Sequence, residues 1–206
     1  MEHKIVKGFS LIELLVVIAI IGMLAALAMP SVTGILGGSK ISMGIETVNG
    51  ALSSARQLAA TKNREIEFRL IEMGDPTFPG SASQIRAVQI LEIRENGTNP
   101  IGNPRIFPSG VLIGSDAAMT SLAALSNSPA AATDPRISGV GTAYKYRSFR
   151  FRPDGSLNLK SVLPAVTNYF LTIYDEKFHP SGSTPPANFA TIQLEPATGA
   201  SILYRP

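Results

Sequence analysis

The stretch Lys7-Gly8-Phe9-Ser10-Leu11-Ile12-Glu13-Leu14 decides how the rest of this chain is read. It follows a short leader carrying Lys4 and Lys7. It opens an apolar run over residues 9–29 in which only Ser10 and Glu13 are polar. A helix of about 21 residues is roughly 31 Å long, enough to span a hydrocarbon core of roughly 30 Å. Glu13 interrupts that run. An acid inside a membrane-spanning segment costs roughly 2.5–3.5 kcal/mol on insertion scales, so it calls for a partner. Cleavage after Gly8 would supply one, because the new α-amino group of Phe9 lies four residues from the carboxylate. An interfacial acid solvated by headgroups is the other reading, and residue physics leaves both open. Lys4 and Lys7 favour a cytoplasmic N-terminus.

Beyond the run, Pro30 lacks a backbone donor and kinks or ends a helix. Gly34, Gly37 and Gly38 weaken the helix again. An amphipathic pattern then resumes at Ile41, Ile45, Val48, Leu52, Ala55 and Ala59, with Lys40, Glu46, Asn49, Ser53 and Gln57 on the other side. The pattern predicts one helix over about 9–61, with a soft point at 30–38 and an apolar stripe packed on a sheet.

Strand signals follow. Residues 65–70 alternate strictly, 87–93 form a second strand, and Asn96-Gly97 marks a turn. Short strands are expected at 105–107 and 111–113, and longer ones at 144–152 and 169–174. Residues 189–194 and 201–204 close as a hairpin. The segment 115–142 is rich in Ala, Ser, Gly and Thr and reads as a long surface excursion with a short helix near 117–125. One helix followed by hairpin-linked strands predicts an α+β fold with an antiparallel sheet on the helix. The pattern divides the chain into a basic stretch at 1–8, an apolar helix of transmembrane length at 9–30, an amphipathic helix at 31–62 and a β-rich domain at 63–206 with a long loop at about 115–142.

The motif from Lys7 to Glu13 resembles the class III signal and N-methylation motif of type IV pilins and type II secretion pseudopilins. The shared features are the basic leader, Gly before Phe, the acid at the fifth position after cleavage, and the long apolar run. The resemblance implies that a prepilin peptidase cuts between Gly8 and Phe9 and methylates Phe9. It also implies that Glu13 pairs with a neighbouring subunit's N-terminus, and that Pro30 matches the helix-kinking proline of many such proteins. The Phe151-Arg152-Pro153-Asp154-Gly155 turn and the hairpin at 192–199 are similar to the FimT/GspH-type minor pseudopilins. Residues 149–156, Pro186-Ala187-Asn188-Phe189 and Tyr204-Arg205-Pro206 are similar to the Verru_Chthon cassette protein D family.

Two other processings compete. Ala26-Leu27-Ala28 has the small-x-small form of an ordinary secretory cleavage site, and an uncleaved anchor is also open. An ordinary apolar region is shorter, about 7–15 residues, and seldom holds an acid.

No catalytic set is visible. The chain has no Cys and two His, at positions 3 and 179, so it offers no disulfide, thiolate site or histidine cluster. No phosphate-binding or dinucleotide glycine motif occurs. Asp175, Glu176 and His179 form at most a weak metal constellation, and a solvated loop is the simpler reading. No enzyme activity, metal or cofactor is expected. Lys145, Arg147, Arg150 and Arg152 interleave with Tyr144 and Tyr146, as basic residues and stacking platforms do on nucleic-acid surfaces. The net charge of +3 gives that reading little support, and the C-terminus lacks the Gly-Arg-x-Arg stretch of DNA-binding relatives. A solvated strand face is the plainer account.

The resemblance thus implies a structural minor pseudopilin that assembles through its N-terminal helix into a type II secretion or type IV pilus-like filament. The alternative is a minor pilin binding DNA or another ligand at a filament tip. The implied partners are the prepilin peptidase, other pilins and the inner membrane, with nucleic acid not expected. The implied location is a bacterial inner membrane, single-pass, with the C-terminal domain in the periplasm.

Overall fold

The structure, a computed structural model, describes residues 10–78, 80–177, 184, 186 and 188–205, and among these the side chains of all but 27–37. Helix α1 runs unbroken from Leu11 to Lys62. The expected soft point at 30–38 does not interrupt it. The chain divides into two compact units, Met1–Ser39 and Lys40–Pro206.

Within the second unit the helix carries the predicted stripe. Ile41, Ile45, Val48, Leu52, Ala55 and Ala59 are buried, and Ala51 joins them. Burying one such large aliphatic side chain stabilises the fold by roughly 1.5–3 kcal/mol. Gly44 lies on this face, where a Cβ would come within 2.8 Å of Val111 Cγ1, so a side chain there would hold helix and strand apart. The helix stops where Asn63 takes a left-handed conformation, φ 50°, which Asn tolerates better than most residues. Lys62 Nζ then bonds Glu92 Oε2 at 2.8 Å.

Ten strands follow: β1 (Ile66–Met73), β2 (Gln84–Arg94), β3 (Gly97–Pro100), β4 (Arg105–Ile106), β5 (Val111–Ile113), β6 (Asn127–Pro129), β7 (Lys145–Phe151), β8 (Tyr169–Asp175), β9 (Phe189–Leu194) and β10 (Ser201–Tyr204). They form one antiparallel sheet in the order β10-β9-β8-β5-β2-β1-β7-β6, with β3 and β4 also paired to β2. A one-turn helix, α2 (Leu159–Val162), links β7 to β8. The fold is therefore α+β, a helix on a large antiparallel sheet. Register places Ile66, Phe68 and Leu70 of β1 beside Phe149 and Phe151 of β7 in the helix-side core. The Phe68 and Phe149 rings lie 5.2 Å apart and those of Phe149 and Phe151 5.8 Å, within the range of favourable aromatic pairing.

The segment 115–142 departs from expectation. It is no free excursion. Its 3-10 turn, Ser121–Ala124, lies within a stretch that sends Leu122 and Leu125 into the helix-side core. Its strand β6 pairs with β7. Ile137 then joins Ile71, Met73, Ala87 and Tyr144 in a second cluster on the far side of the sheet. The tie points are single residues separated by polar stretches, so they leave no periodic signal.

The closing hairpin is fixed by a turn-to-turn contact. Gly199 has φ +63°, and a Cβ there would collide with the Gly155 carbonyl oxygen. Gly199→Ala should lose about 1–2 kcal/mol to the left-handed conformation and about 1–3 kcal/mol more to overpacking. Thermal denaturation of the full chain measures this; an unchanged melting temperature would mean that the two turns do not meet.

Candidate functional site

The methylation-type motif opens α1. Gly8 and Phe9 lie outside the described residues, so the site begins at Ser10. There the chain forms a capping box that the sequence already spells as Ser10-x-x-Glu13. Glu13 N donates to Ser10 Oγ at 3.2 Å, and Ser10 N donates back to Glu13 Oε2 at 3.3 Å. The acid that reads as an anomaly in an apolar run therefore satisfies a helix-start donor, and it lies near the positive end of the helix dipole. Leu11, Ile12, Leu14, Leu15, Ile18, Ile21 and Leu24 are all exposed. These positions lie all around the helix, and a helix apolar on every side is one that becomes buried in a larger assembly or a membrane. Among the described residues, no helix is long and apolar enough to cross a membrane. Of the run 9–29, Phe9 and the side chains of 27–29 lie outside them. Pro30 lies within the helix, and its side chain is likewise outside the described set.

The basic strand β7 is less free than its composition suggests. Arg147 pairs with Glu72 on β1, and Arg147 Nε also donates to the Ala123 carbonyl at 3.1 Å. Arg150 Nη1 lies 3.1 Å from Glu65 Oε2. Lys145 is exposed, and Arg152 is half-buried in the turn after the strand. Alternation sends Phe149 and Phe151 to the core, leaving no continuous cationic face.

Beside it the far side of the sheet hides charge that the strand pattern does not announce. Arg69 and Glu67 look like the solvated half of an alternating strand, yet they are 4% and 6% exposed. Arg69 Nη1 bonds Asp134 Oδ1 at 2.6 Å, its Nε lies 3.1 Å from Glu67 Oε1, and its guanidinium carbon lies 3.9 Å from the Tyr146 ring centroid. Burial opposes the Arg69 charge, but the hydrogen bonds to Glu67 and Asp134 outweigh it and hold its pKa above the ordinary value. Burial pushes the Tyr144 and Tyr146 hydroxyls upward too. Asp134 Oδ2 also accepts from Ala131 N at 2.7 Å. One ion pair thus clamps the segment 115–142 to β1.

A polar cleft of about 580 Å³ lies beside α1, lined among others by Ser53, Arg56, Asp154 and Gly199. Among the described residues no group of three or more His, Cys, Asp or Glu could hold a metal ion. Glu176 instead pairs with Arg86, and His179 lies outside the described residues.

Residues 4–29 match the family model described as the prokaryotic N-terminal methylation motif. A fimbrial protein of Pseudomonas aeruginosa is 40% identical over 63 residues, 31% of this chain and 40% of that protein. The N-terminal part of the chain is thus similar to that of type IV fimbrial proteins. The fimbrial protein EcpC of Eikenella corrodens is 28% identical over 116 residues, covering 55% of this chain and 71% of that one. Among solved structures, the minor pseudopilin EpsH from the Type 2 Secretion System of Vibrio cholerae aligns with 81% of this chain and 98% of its own, at a TM-score of 0.43 and 10% identity. The match to the Pseudomonas relative spans about two fifths of that protein's length. The methylation motif implies a membrane-anchored envelope protein.

Proposed function

We propose that this chain is a structural minor pseudopilin that enters an envelope filament, of the type II secretion or type IV pilus kind, through its N-terminal helix. The observation that carries this reading is the methylation motif at residues 4–29, leading into a helix whose first turns are apolar and exposed all around. Such a helix is at rest only among lipid tails or among other helices of its kind. Its partners would be the prepilin peptidase and neighbouring pilins. The leader lysines would keep the N-terminus in the cytoplasm, with the β-rich unit in the periplasm. The work is mechanical, and no reaction is assigned. The carboxylate partners of Arg147 and Arg150 weigh against DNA capture on β7.

Mass spectrometry of the mature protein purified from its native envelope tests the reading. The expected N-terminus is N-methylated Phe9. A chain beginning at Met1 or Met29 would overturn it.

A further inference from the structure

The two edges of the sheet are finished differently. β6 ends one side with Asn127, Ser128 and Pro129, and a short polar edge that includes Pro offers little to another strand. β10 ends the other side, and among the described residues no strand lies beyond it. Its Ile202, Leu203 and Tyr204 are 49%, 45% and 52% exposed. Consecutive large apolar side chains on an open edge make a template for pairing with another chain.

The register shows which main-chain groups are free. Ser201 lies opposite Leu194, Ile202 opposite Gln193, Leu203 opposite Ile192 and Tyr204 opposite Thr191. Glu195 N donates to Ala200 O at 2.9 Å, so these two residues are a hydrogen-bonded pair. In an antiparallel ladder such pairs alternate with pairs whose N–H and C=O turn outward. Ile202 and Tyr204 therefore bond to β9, and the main-chain groups of Ser201 and Leu203 point away from it. Side chains alternate as well. Ser201 Oγ donates to Asn49 Oδ1 at 2.6 Å and Arg205 Nη1 to Ser42 Oγ at 3.0 Å, so the odd positions face α1 and hold β10 along the helix. Ile202 and Tyr204 face the other side, where Tyr204 borders a shallow hollow of about 360 Å³ shared with Asn168, Phe170, Thr191 and Gln193. None of these residues is charged.

These features define an occupant. Water can satisfy the outward groups of Ser201 and Leu203, but it leaves the apolar side chains beside them exposed. A ligand that offers donors and acceptors at the spacing of a strand, with apolar side chains on both faces, is an extended polypeptide. A second copy fits less well. Antiparallel pairing of two β10 strands joins only four residues a side and would run the two α1 helices in opposite directions, whereas the methylation motif anchors both chains from the same end. We propose that β10 is the docking edge for an extended, uncharged segment of a different polypeptide. That segment adds as a further strand, with main-chain bonds to Ser201 and Leu203 and apolar side chains against Ile202, Leu203 and Tyr204. The preference for a partner over a second copy rests on the anchored reading; the open edge does not.

The full chain, nitrogen-labelled and held in detergent micelles, is followed by NMR. Without ligand, the Leu203 amide should exchange with solvent at least tenfold faster than those of Ile202 and Tyr204. A short blocked peptide alternating Val and Thr should then give saturable shifts at Ser201 and Leu203 and slow the Leu203 exchange at least tenfold. The same peptide methylated on every amide nitrogen keeps the side chains and loses the donors, and it should bind at least tenfold more weakly. Leu203→Pro removes one outward N–H and spares the bonds to β9, so it should weaken binding at least tenfold with the Ile202 and Tyr204 amides still protected. If that variant fails to fold, the methylated peptide still decides. Slow Leu203 exchange without peptide would mean that the edge is already covered, by a second copy if dilution speeds it. Equal binding of the methylated peptide would mean an apolar patch alone, and binding that survives Leu203→Pro would mean a site elsewhere. No saturable shift would mean an edge that only water covers. Each of these overturns the proposal, and none of them bears on the processing at Phe9.

Discussion

Glu13→Gln should leave the chain in the membrane and leave its β-rich unit folded, yet abolish its co-isolation with partner pilins. The reasoning starts at the capping box. Gln serves at the third helical position of such a box nearly as well as Glu, so the bonds between residue 13 and Ser10 at 3.2 and 3.3 Å have a substitute. What the change removes is charge. Insertion should be unharmed or improved, because an acid in an apolar span costs roughly 2.5–3.5 kcal/mol. If the chain assembles as proposed, the change would also remove pairing with the α-amino group of a neighbouring Phe9, the contact proposed to set axial register. Ser10→Ala is the converse experiment. It cuts the box, at a cost of about 0.5–2 kcal/mol to the helix start, and keeps the carboxylate. Co-isolation should therefore survive Ser10→Ala and fail in Glu13→Gln. The opposite result would make Glu13 a helix cap and nothing more, and would move the assembly contact elsewhere.

The same residue shows what the sequence discloses and what it conceals. The spacing Ser10-x-x-Glu13 is a capping signature in plain sight, but an acid in a membrane-length run draws attention to its cost and away from its neighbour. The stripe from Ile41 to Ala59 was legible because its period is that of a helix and every member is buried. The strands β1, β2, β7, β8, β9 and β10 were legible from alternation or from apolar runs bounded by turns. Arg69 and Arg86 were not. Alternation says which face a residue takes, and it cannot say whether that face is later covered. Over Arg69 the cover is the segment 115–142, whose far-side anchors Asp134 and Ile137 follow no period, whereas Arg86 is paired with Glu176 and lies beside the turns at 75–77 and 107–109. The pairing of β7 with Glu65 and Glu72 was hidden for a related reason. Ion pairs across strands depend on register, which fixes Glu67 opposite Arg150 and Glu72 opposite Lys145, and register is set by the whole sheet.

Arg69→Met should be the most destabilising single change on the far side of the sheet. The side chain is 5% exposed and serves two carboxylates at once, Asp134 and Glu67. Its removal leaves both acids beneath the segment 130–144 without their cation. Breaking a buried pair from one side costs about 3–5 kcal/mol, because the remaining charge keeps its desolvation penalty and loses its compensation. For a chain of this size that corresponds to a fall in melting temperature of roughly 10 °C, at about 2–4 °C per kcal/mol. The loss should be local before it is global. Amide exchange should accelerate first around Ala131 and Ile137, since Asp134 also holds the Ala131 N–H, and weakly anchored segments open ahead of the core. A second change separates lost charge balance from lost packing. Adding Asp134→Asn and Glu67→Gln to Arg69→Met removes the stranded charges and keeps the shapes, so it should restore more than half of the stability. If the triple variant is no more stable than Arg69→Met alone, the contribution of Arg69 lies in its contact with the Tyr146 ring at 3.9 Å and its packing. The clamp on the segment 115–142 would then be apolar, carried by Ile137 and Tyr144.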